Sequence, residues 1–293
     1  TCTHAVLEAA EAGVLPAGLW SAVEETGIAA MMATEDDGGI AASASQVVSL
    51  MRIAGRYGVP GPLPETVVAR WIGSRTGLRV PPGPLGLSLG LGSGGWRLDR
   101  DADGWSATGQ DAAVPWGLAA GAVVVVGHGP GECVAAGLLD PSTIDCVSGR
   151  NLAGELRDDL RAEGRRMRAG GMLPPDLGLE NVAAMAALAR AGFMIGELDT
   201  LLAMSVGYAG ERVQFGRPIG RFQAVQQQLA ELAGAVAAAA AITESAAAAV
   251  ERGDGGFLVV AARARLADAV DTATAISHQV HGAIGFTREY PLQ

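Results

Sequence analysis

Residues 207–226 read Gly207-Tyr-Ala-Gly-Glu-Arg-Val-Gln-Phe-Gly-Arg-Pro-Ile-Gly-Arg-Phe-Gln-Ala-Val-Gln226 and separate two proline-poor regions of the chain. The segment has an arginine, Arg212, near the end of a predicted helix, a turn at Gly216, and Pro218 near the first position of the next helix. Gln223 follows one turn into that second helix. The sequence therefore predicts a tight connection between two long helices.

The helices predicted around this connection cover residues 179–210, 221–252 and 256–282. The alanine tract from Ala235 to Ala249 has a high intrinsic helix propensity, and its small side chains allow a neighbouring helix to approach closely. Because such a helix cannot form a thick core alone, we expect it to pack against helices of the same chain or of a partner.

The composition changes twice before these helices. The N-terminal region has apolar residues at helical spacing, and the middle region is rich in glycine and proline, with short candidate strands at Trp96, Trp105 and Ala122. The expected fold class is mainly α. We expect an N-terminal helical domain (1–78), a small, shortened β domain (79–172) and a C-terminal bundle of long helices (173–293).

Charge and composition exclude several classes of function. The chain of 293 residues has 31 acidic residues against 21 basic ones, all arginine, and a net charge of −10. It lacks the basic footprint of a nucleic-acid-binding protein, so no nucleic acid is expected as a partner. Its longest apolar stretches are too short or too rich in alanine to span a bilayer, and no charged-then-apolar leader opens the sequence. We expect a soluble protein with no membrane span.

The cysteine pattern bears on the cellular compartment. Cys2, Cys133 and Cys146 form no CxxC motif and have no histidine at zinc spacing. This pattern favours a reducing, cytoplasmic location and predicts neither a disulfide framework nor a metal site.

Three short motifs match known sites by their letters alone. Residues 90–95 fit GxGxxG and residues 86–90 fit GxSxG, but both patterns require a helix directly afterwards, and a strand is predicted from Trp96. Residues 99–104 fit the first half of an EF-hand loop, yet Gln110 stands where a bidentate glutamate is needed. We expect a glycine-rich strand or loop and an acidic hairpin turn instead.

A second segment, residues 278–291, reads HQVHGAIGFTREYP and ends the last predicted helix with Gly282 and Gly285. Backbone amides at such glycines can approach a ligand closely. Arg212, with its planar donors beside a new helix start, is suited to contact a phosphate group. The residues alone leave a second interpretation open: a helix-capping arginine on a solvated corner, and histidines in the core or on the surface.

Together and in this order, the two segments resemble the acyl-CoA dehydrogenase family of flavoenzymes. That family carries an R-x-x-F-G…F-Q stretch and then a Q-x-x-G-G-x-G-F…E-Y-P stretch. The resemblance is strong over residues 175–293, and residues 20–39 look like the family's N-terminal W…E…G…E…GG signature. It implies a flavoprotein oxidoreductase of lipid metabolism and β-oxidation. Its cofactor would be FAD, its reaction the α,β-desaturation of an acyl-CoA, and its redox partner an electron-transfer flavoprotein.

In the family, these segments contact the pyrophosphate and adenosine of an FAD bound to a neighbouring subunit. The resemblance assigns this role to Arg212, Val213, Gln214, Phe222, Gln223, Gln279, Val280, His281, Gly282 and Ala283. At residues 279–283 the implied contact is through the backbone. Ala283 replaces the family's second glycine, which places a methyl group where the amide would lie against the pyrophosphate.

Two features depart from the family pattern. The T/S-E-P-x-x-G-S-D and W/Y-I-T-N strands that hold the flavin ring are missing, with residues 104–109 and Val114-Pro115 as remnants. The family's catalytic glutamate follows the E-Y-P segment by a few turns, past Gln293, or lies on the preceding helix near Ala186, where Glu180 is out of register. The catalytic residue is therefore unknown, and a structural role is favoured for Glu289.

Three functional interpretations remain open from the sequence. The first is an acyl-CoA dehydrogenase subunit that binds FAD at an interface of a homo-oligomer or hetero-oligomer. The second is a non-catalytic partner subunit of a heteromeric acyl-CoA dehydrogenase, as in the short paired subunits of actinobacterial steroid degradation. The third is a helical scaffold without flavin.

Overall fold

The computed structural model describes residues 4–15, 17–287, 290 and 292. The chain forms two compact units. The sheet unit comprises residues 2–43 and 60–186, and the helix unit comprises residues 44–59 and 187–293. The domain boundaries at residues 78 and 172 stay predictions.

The described residues form helices in two blocks, with the strands between them. The helices are α1 His4–Glu11, α2 Ala17–Glu25, α3 Ala44–Arg56, α4 Leu63–Thr76, α5 Leu179–Glu211, α6 Gln223–Glu251 and α7 Gly256–His281. The strands of the sheet are β1 Leu85–Ser88, β2 Trp96–Asp101, β3 Gly104–Pro115, β4 Ala122–His128, β5 Val134–Leu139, β6 Asp145–Val147, β7 Arg157–Arg166 and β8 Ala169–Met172. A two-stranded hairpin, β9 Val213–Gln214 and β10 Arg217–Pro218, lies between α5 and α6. The mainly helical fold class, with a small sheet and a C-terminal bundle, is confirmed.

The sheet unit is built around an eight-stranded sheet in the order β6-β7-β3-β2-β4-β5-β8, with β1 parallel to β4. Its central strand β4 carries four consecutive buried valines from Val123 to Val126, because both faces of the strand are covered. Helix α4 is likewise buried around most of its circumference, which explains why its sequence shows no one-sided apolar pattern. It ends at Gly77, whose φ of 70° lies in the left-handed region.

The predicted strands at Trp96, Trp105 and Ala122 are confirmed as β2, β3 and β4. The acidic stretch forms the predicted hairpin turn between β2 and β3, where the Asp103 amide donates to the Asp101 carboxylate at 2.9 Å. The same carboxylate accepts hydrogen bonds from the guanidinium of Arg166. Residues 99–104, which resemble the first half of an EF-hand loop, therefore form a hairpin turn that the ion pair between Arg166 and Asp101 stabilises.

The helix unit is a bundle of α3, α5 from residue 187 onward, α6 and α7. One face of α6 packs into the core of this unit with Leu232, Val236 and Ala239, against Ala273 and Ile276 of α7. Packing of the alanine-rich helix against helices of the same chain is therefore confirmed. By length and composition alone, α6 could cross a membrane, contrary to the sequence expectation. Its buried face shows that it serves as a core helix of the bundle.

Helix α3 crosses α5 at very close range. A Cβ added at Gly196 of α5 would lie 2.0 Å from the carbonyl oxygen of Arg52, so only glycine permits this approach. Beside the crossing, the Arg52 guanidinium donates to both carboxylate oxygens of Asp199 at 2.7 and 3.0 Å. Arg56 donates to the same carboxylate at 3.0 Å.

The connection between α5 and α6 differs from the sequence prediction. Pro218 ends strand β10 and precedes a short 3-10 helix, Ile219–Arg221, rather than α6 itself. Gln223 is the first residue of α6 rather than one turn inside it. The hairpin forms because Phe215 and Gly216 both adopt positive φ, 51° and 79°, and such turns match the twist of antiparallel strands.

Candidate functional site

Arg212 lies at the base of the β9–β10 hairpin, directly after α5. Its amide donates to the carbonyl of Tyr208, and its own carbonyl accepts from the amide of Ile219, both at 2.8 Å. These bonds fix the backbone of Arg212, while its side chain is exposed. Among the residues that the structure describes, the Arg212 guanidinium has no hydrogen-bond or ion-pair partner. The backbone of Arg212 is therefore held by hydrogen bonds, while its side chain presents an unneutralised positive charge to solvent.

The hairpin carries an aromatic cluster next to this charge. The ring of Phe222 lies edge-on to Phe215 at a centroid distance of 6.1 Å, and the guanidinium of Arg217 lies 4.2 Å from the Phe222 ring centroid. Phe215 itself is 93% exposed. Val213, Gln214 and Gln223 are exposed as well. Sequence reasoning identified Phe222 and missed Phe215 and Arg217, although a phenylalanine before the turn glycine was the available signal.

The second predicted segment lies at the end of α7. Gln279 and Ala283 are exposed, whereas Val280 and His281 are buried with 7% and 3% of their surface accessible. Gly282 has a φ of 64° and a ψ of −141° and begins the turn Gly282–Phe286. The side chains of Val280 and His281 are therefore enclosed and offer a ligand no contact. The backbone contacts that the resemblance implies for residues 279–283 stay a prediction.

A ring contact joins the two segments inside the helix unit. Tyr208 of α5 stacks on His281 of α7 with centroids 4.6 Å apart, and the Tyr208 carbonyl accepts the amide of Arg212. Tyr290 completes the contact, with its hydroxyl 3.2 Å from Nε2 of His281. Burial, together with the neighbouring Tyr208 and Glu211, raises the pKa of the Tyr290 phenol. The ends of α5 and α7 are thus joined by the ring contacts of Tyr208, His281 and Tyr290.

In the sheet unit, the serine of the GxSxG pattern has a structural role. The hydroxyl of Ser88 donates to Asp111 at 2.8 Å and accepts from the indole Nε1 of Trp96 at 2.7 Å. The Gly90 amide donates to the same carboxylate oxygen at 2.9 Å. Since Ser88 is buried in β1 and a strand follows the glycine loop, the expectation of a glycine-rich strand or loop is confirmed.

A cleft of about 520 Å³ opens beside this glycine loop. Its carboxylates are Asp111, Asp145 and Asp159, and the last accepts the Ala113 amide at 2.8 Å. Asp145 stands directly opposite Arg161 in the β6–β7 ladder. Burial and nearby aspartates raise the pKa of the Cys146 thiol in the cleft, so the thiol is not activated as a nucleophile. No group of metal-ligating side chains occurs in the described part of the chain.

The position expected for a catalytic glutamate on α5 holds no ionisable group. Ala186 occupies it, and Glu180 is exposed in the first turn of the helix. Glu289 and Cys2 lie outside the described residues. The catalytic residue therefore stays unassigned.

Comparisons with known proteins agree with one another. The family model described as "Acyl-CoA dehydrogenase, C-terminal domain" matches residues 179–293. Acyl-CoA dehydrogenase IpdE2 of Mycobacterium tuberculosis is 30% identical over 277 residues, which cover 94% of this chain and 77% of IpdE2.

Solved structures share the fold over almost the whole chain. A variant of the Tcur3481-Tcur3483 steroid ACAD is similar with a TM-score of 0.87 and 26% identity, over 99% of this chain and 85% of that one. The ChsE4-ChsE5 complex from Mycobacterium tuberculosis is similar in fold with a TM-score of 0.80 and 24% identity, over 93% of this chain and 79% of that one. From the extent of these similarities, the chain belongs to the acyl-CoA dehydrogenase family.

Proposed function

We propose that this chain is a subunit of an FAD-dependent acyl-CoA dehydrogenase. Its helix unit would hold the diphosphate and adenosine of an FAD that it shares with a neighbouring subunit. The proposal rests on the position of Arg212. Its guanidinium is exposed, its backbone amide donates to the carbonyl of Tyr208, and Tyr208 stacks on His281 at the end of α7. The stack of Tyr208 on His281 supports the proposal, because it joins the two segments to which the resemblance assigns the FAD contacts.

The donor set of these segments fits the diphosphate and adenosine of FAD. Arg212 provides charge-assisted donors, and the exposed carboxamides of Gln214, Gln223 and Gln279 both donate and accept hydrogen bonds. None of the ten predicted residues is acidic, so none would repel a phosphate. Gly282, with its positive φ, gives a ligand close access to the backbone.

Bound FAD would supply the hydride acceptor for α,β-desaturation of an acyl-CoA thioester. The residues of this chain would bind and orient it. Arg212 would neutralise phosphate charge, and the backbone of residues 279–283 would lie against the same group. The sequence motifs of the family's ring-holding strands are missing from the sheet unit, apart from the remnants at residues 104–109 and 114–115. The contribution of this chain is therefore assigned to the phosphate and adenosine side alone.

A partner subunit would complete the reaction. Abstraction of the α-proton requires a carboxylate within hydrogen-bond reach of the α-carbon, and Ala186 cannot provide one. We propose that the partner supplies this carboxylate. The names of two structural neighbours, Tcur3481-Tcur3483 and ChsE4-ChsE5, describe two-component assemblies and support this arrangement. By the same analogy, the substrate would be a bulky thioester such as a steroid acyl-CoA, and an electron-transfer flavoprotein would accept the electrons.

A second candidate function is that of a non-catalytic partner subunit, and Ala186 at the position of the base favours it. Acyl-CoA turnover by the chain assembled with its partner, compared between wild type and Arg212→Ala, distinguishes the two candidates. Reduced turnover in the variant would show that this chain contributes to the shared FAD site, and unchanged turnover would favour the non-catalytic role. Absence of flavin from every preparation would instead favour the third interpretation, a helical scaffold without flavin.

The test of the proposal is the affinity for FAD of the wild type and of Arg212→Ala. Loss of one shielded, charge-assisted contact worth about 1.5–3 kcal/mol predicts affinity weaker by about 10-fold to 150-fold. Arg212→Lys should recover only part of it, because an ammonium group cannot reproduce the planar fork. Arg263→Ala, which removes an exposed arginine from α7, is the matched control and should bind FAD like the wild type. Equal affinity in all four proteins would assign Arg212 to helix capping.

A further inference from the structure

A buried polar cluster occupies the space between the two FAD-contacting segments of the helix unit. We call it the His281 cluster, and its members are Ser205, Tyr208, Ser277, His281 and Tyr290. His281 is the last residue of α7, and only 3% of its surface is accessible. Ser205 and Ser277 are fully buried, and their hydroxyl oxygens lie 3.0 Å apart.

The hydrogen bonds of the cluster fit the Nδ1-protonated tautomer of the imidazole. Nδ1 of His281 lies 2.8 Å from the carbonyl oxygen of Ser277. Because a carbonyl can only accept, Nδ1 carries a proton, and in the neutral imidazole Nε2 is then an acceptor. The Tyr290 hydroxyl, 3.2 Å from Nε2, then donates to it. Both imidazole nitrogens are thus satisfied in the neutral form, as a buried ring requires.

The rings of the cluster connect this histidine to Arg212. Tyr208 stacks on His281 at 4.6 Å, and Tyr290 lies 5.0 Å from His281 and 6.2 Å from Tyr208. Tyr208 is one helical turn before Arg212 and accepts its amide. The residue after His281 is Gly282, whose positive φ starts a turn with no side-chain cap. His281 is therefore the residue that joins α7 to this turn, whose far end is held by the stack of Phe286 on His278.

We infer that His281 is a positioning residue, which fixes the backbone of the Gly282–Phe286 turn relative to Arg212 through its bond to Tyr290 and its stack on Tyr208. This inference rests on the proposed function, because the positioned groups are those that would hold the FAD diphosphate. The imidazole ring of His281 would not itself touch the cofactor, since it is enclosed, and residue 281 would meet it only through its backbone. Its effect is to hold two phosphate-binding segments in a single geometry.

The test uses two variants that each break the same bond. Tyr290→Phe removes only the hydroxyl and keeps the ring. His281→Asn keeps a donor toward the Ser277 carbonyl and loses the acceptor for Tyr290. Thr243→Val is the matched control, because its buried hydroxyl bonds only to Ala239 within α6, at 2.8 Å. The double variant His281→Asn/Tyr290→Phe completes a thermodynamic cycle.

Two measurements are made on each protein. Amide hydrogen exchange without FAD reports local opening of the turn, and FAD titration reports affinity. Both single variants should speed exchange over residues 282–286 by about threefold to tenfold and weaken FAD binding by a similar factor, as loss of one buried hydrogen bond predicts. Exchange in α6 should stay at the wild-type rate. The double variant should be no worse than either single variant.

Several results would overturn the inference. Unchanged exchange over residues 282–286 would remove the positioning role, and faster exchange throughout the helix unit would show general destabilisation instead. Additive effects in the double variant would show that His281 and Tyr290 act independently. Faster exchange with undiminished FAD affinity would show that the turn does not serve the cofactor. If the wild type binds no FAD, the proposed function fails, and the exchange data still decide whether His281 holds the turn.

Discussion

Replacing Asp199 by asparagine should destabilise the helix unit, because this carboxylate holds α3 against α5. The Asp199 side chain is 12% exposed and accepts both Nε and Nη2 of Arg52, at 2.7 and 3.0 Å, and Nε of Arg56 at 3.0 Å. Asparagine has the same shape but only one acceptor oxygen and no charge. The substitution therefore removes the bidentate contact without opening a cavity.

The magnitude follows from the exposure of the pair. Hydrogen bonds to charged groups contribute about 1.5–3 kcal/mol, and breaking a fully buried ion pair costs about 3–5 kcal/mol. Since the Arg52 side chain is 29% exposed, part of its charge can be solvated after the substitution. We expect Asp199→Asn to lower the free energy of unfolding by about 1.5–3 kcal/mol at pH 7.

The effect should depend on pH in a defined direction. Burial alone would raise the pKa of Asp199, but the hydrogen bonds and charges of Arg52 and Arg56 outweigh it and hold the pKa below its ordinary value. A folded pKa below the unfolded one gives stability that is present above the unfolded value of about 3.9 and is lost as the pH falls through the folded pKa. The difference between wild type and Asp199→Asn should therefore shrink from pH 7 toward pH 3.

The assay is urea unfolding followed by circular dichroism at both pH values. Asp99→Asn is the control, because the Arg97–Asp99 pair is 68% and 58% exposed and should contribute no more than about 0.5 kcal/mol. A loss below about 0.5 kcal/mol for Asp199→Asn at pH 7, or a difference that does not change with pH, would refute the reasoning.

Two further predictions concern the helix crossing and catalysis. Gly196→Ala should destabilise the helix unit by more than about 3 kcal/mol, because its Cβ would lie 2.0 Å from the Arg52 carbonyl, whereas Gly234→Ala in α6 meets no atom within 4 Å and should be neutral or stabilising. A wild-type urea midpoint for Gly196→Ala would contradict this prediction. Residues 1–293 expressed alone should show little or no dye-coupled acyl-CoA dehydrogenase activity, because Ala186 provides no carboxylate at the family position on α5. Robust turnover that Glu289→Gln abolishes while flavin binding persists would contradict it.

The sequence predicted the helices around Arg212 to within about two residues, because proline and glycine mark their ends. It placed the strands at Trp96, Trp105 and Ala122 correctly for the same reason. It did not predict the β9–β10 hairpin, since a phenylalanine at positive φ is unfavourable on its own and is held there by surrounding structure.

Long-range contacts were beyond sequence reasoning. The segment 44–59 groups with helices more than 120 residues later because of glycines at the crossing and the Asp199 carboxylate, and neither signal appears in local periodicity. The role of Tyr208 was missed in the same way, since its contact with His281 depends on how α5 and α7 meet. The order of the two sequence motifs identified the candidate site. The contacts that hold its residues in place, such as the stack of Tyr208 on His281, could be seen only in the structure.

Sedimentation velocity recorded at the flavin absorption band tests the central claim most directly, because it reports the size of the species that carries the cofactor. If FAD is held between subunits, the flavin signal should sediment with a dimer or larger assembly at micromolar concentration and should leave the protein when dilution dissociates it. Flavin that sediments with a single chain of this protein would contradict the account.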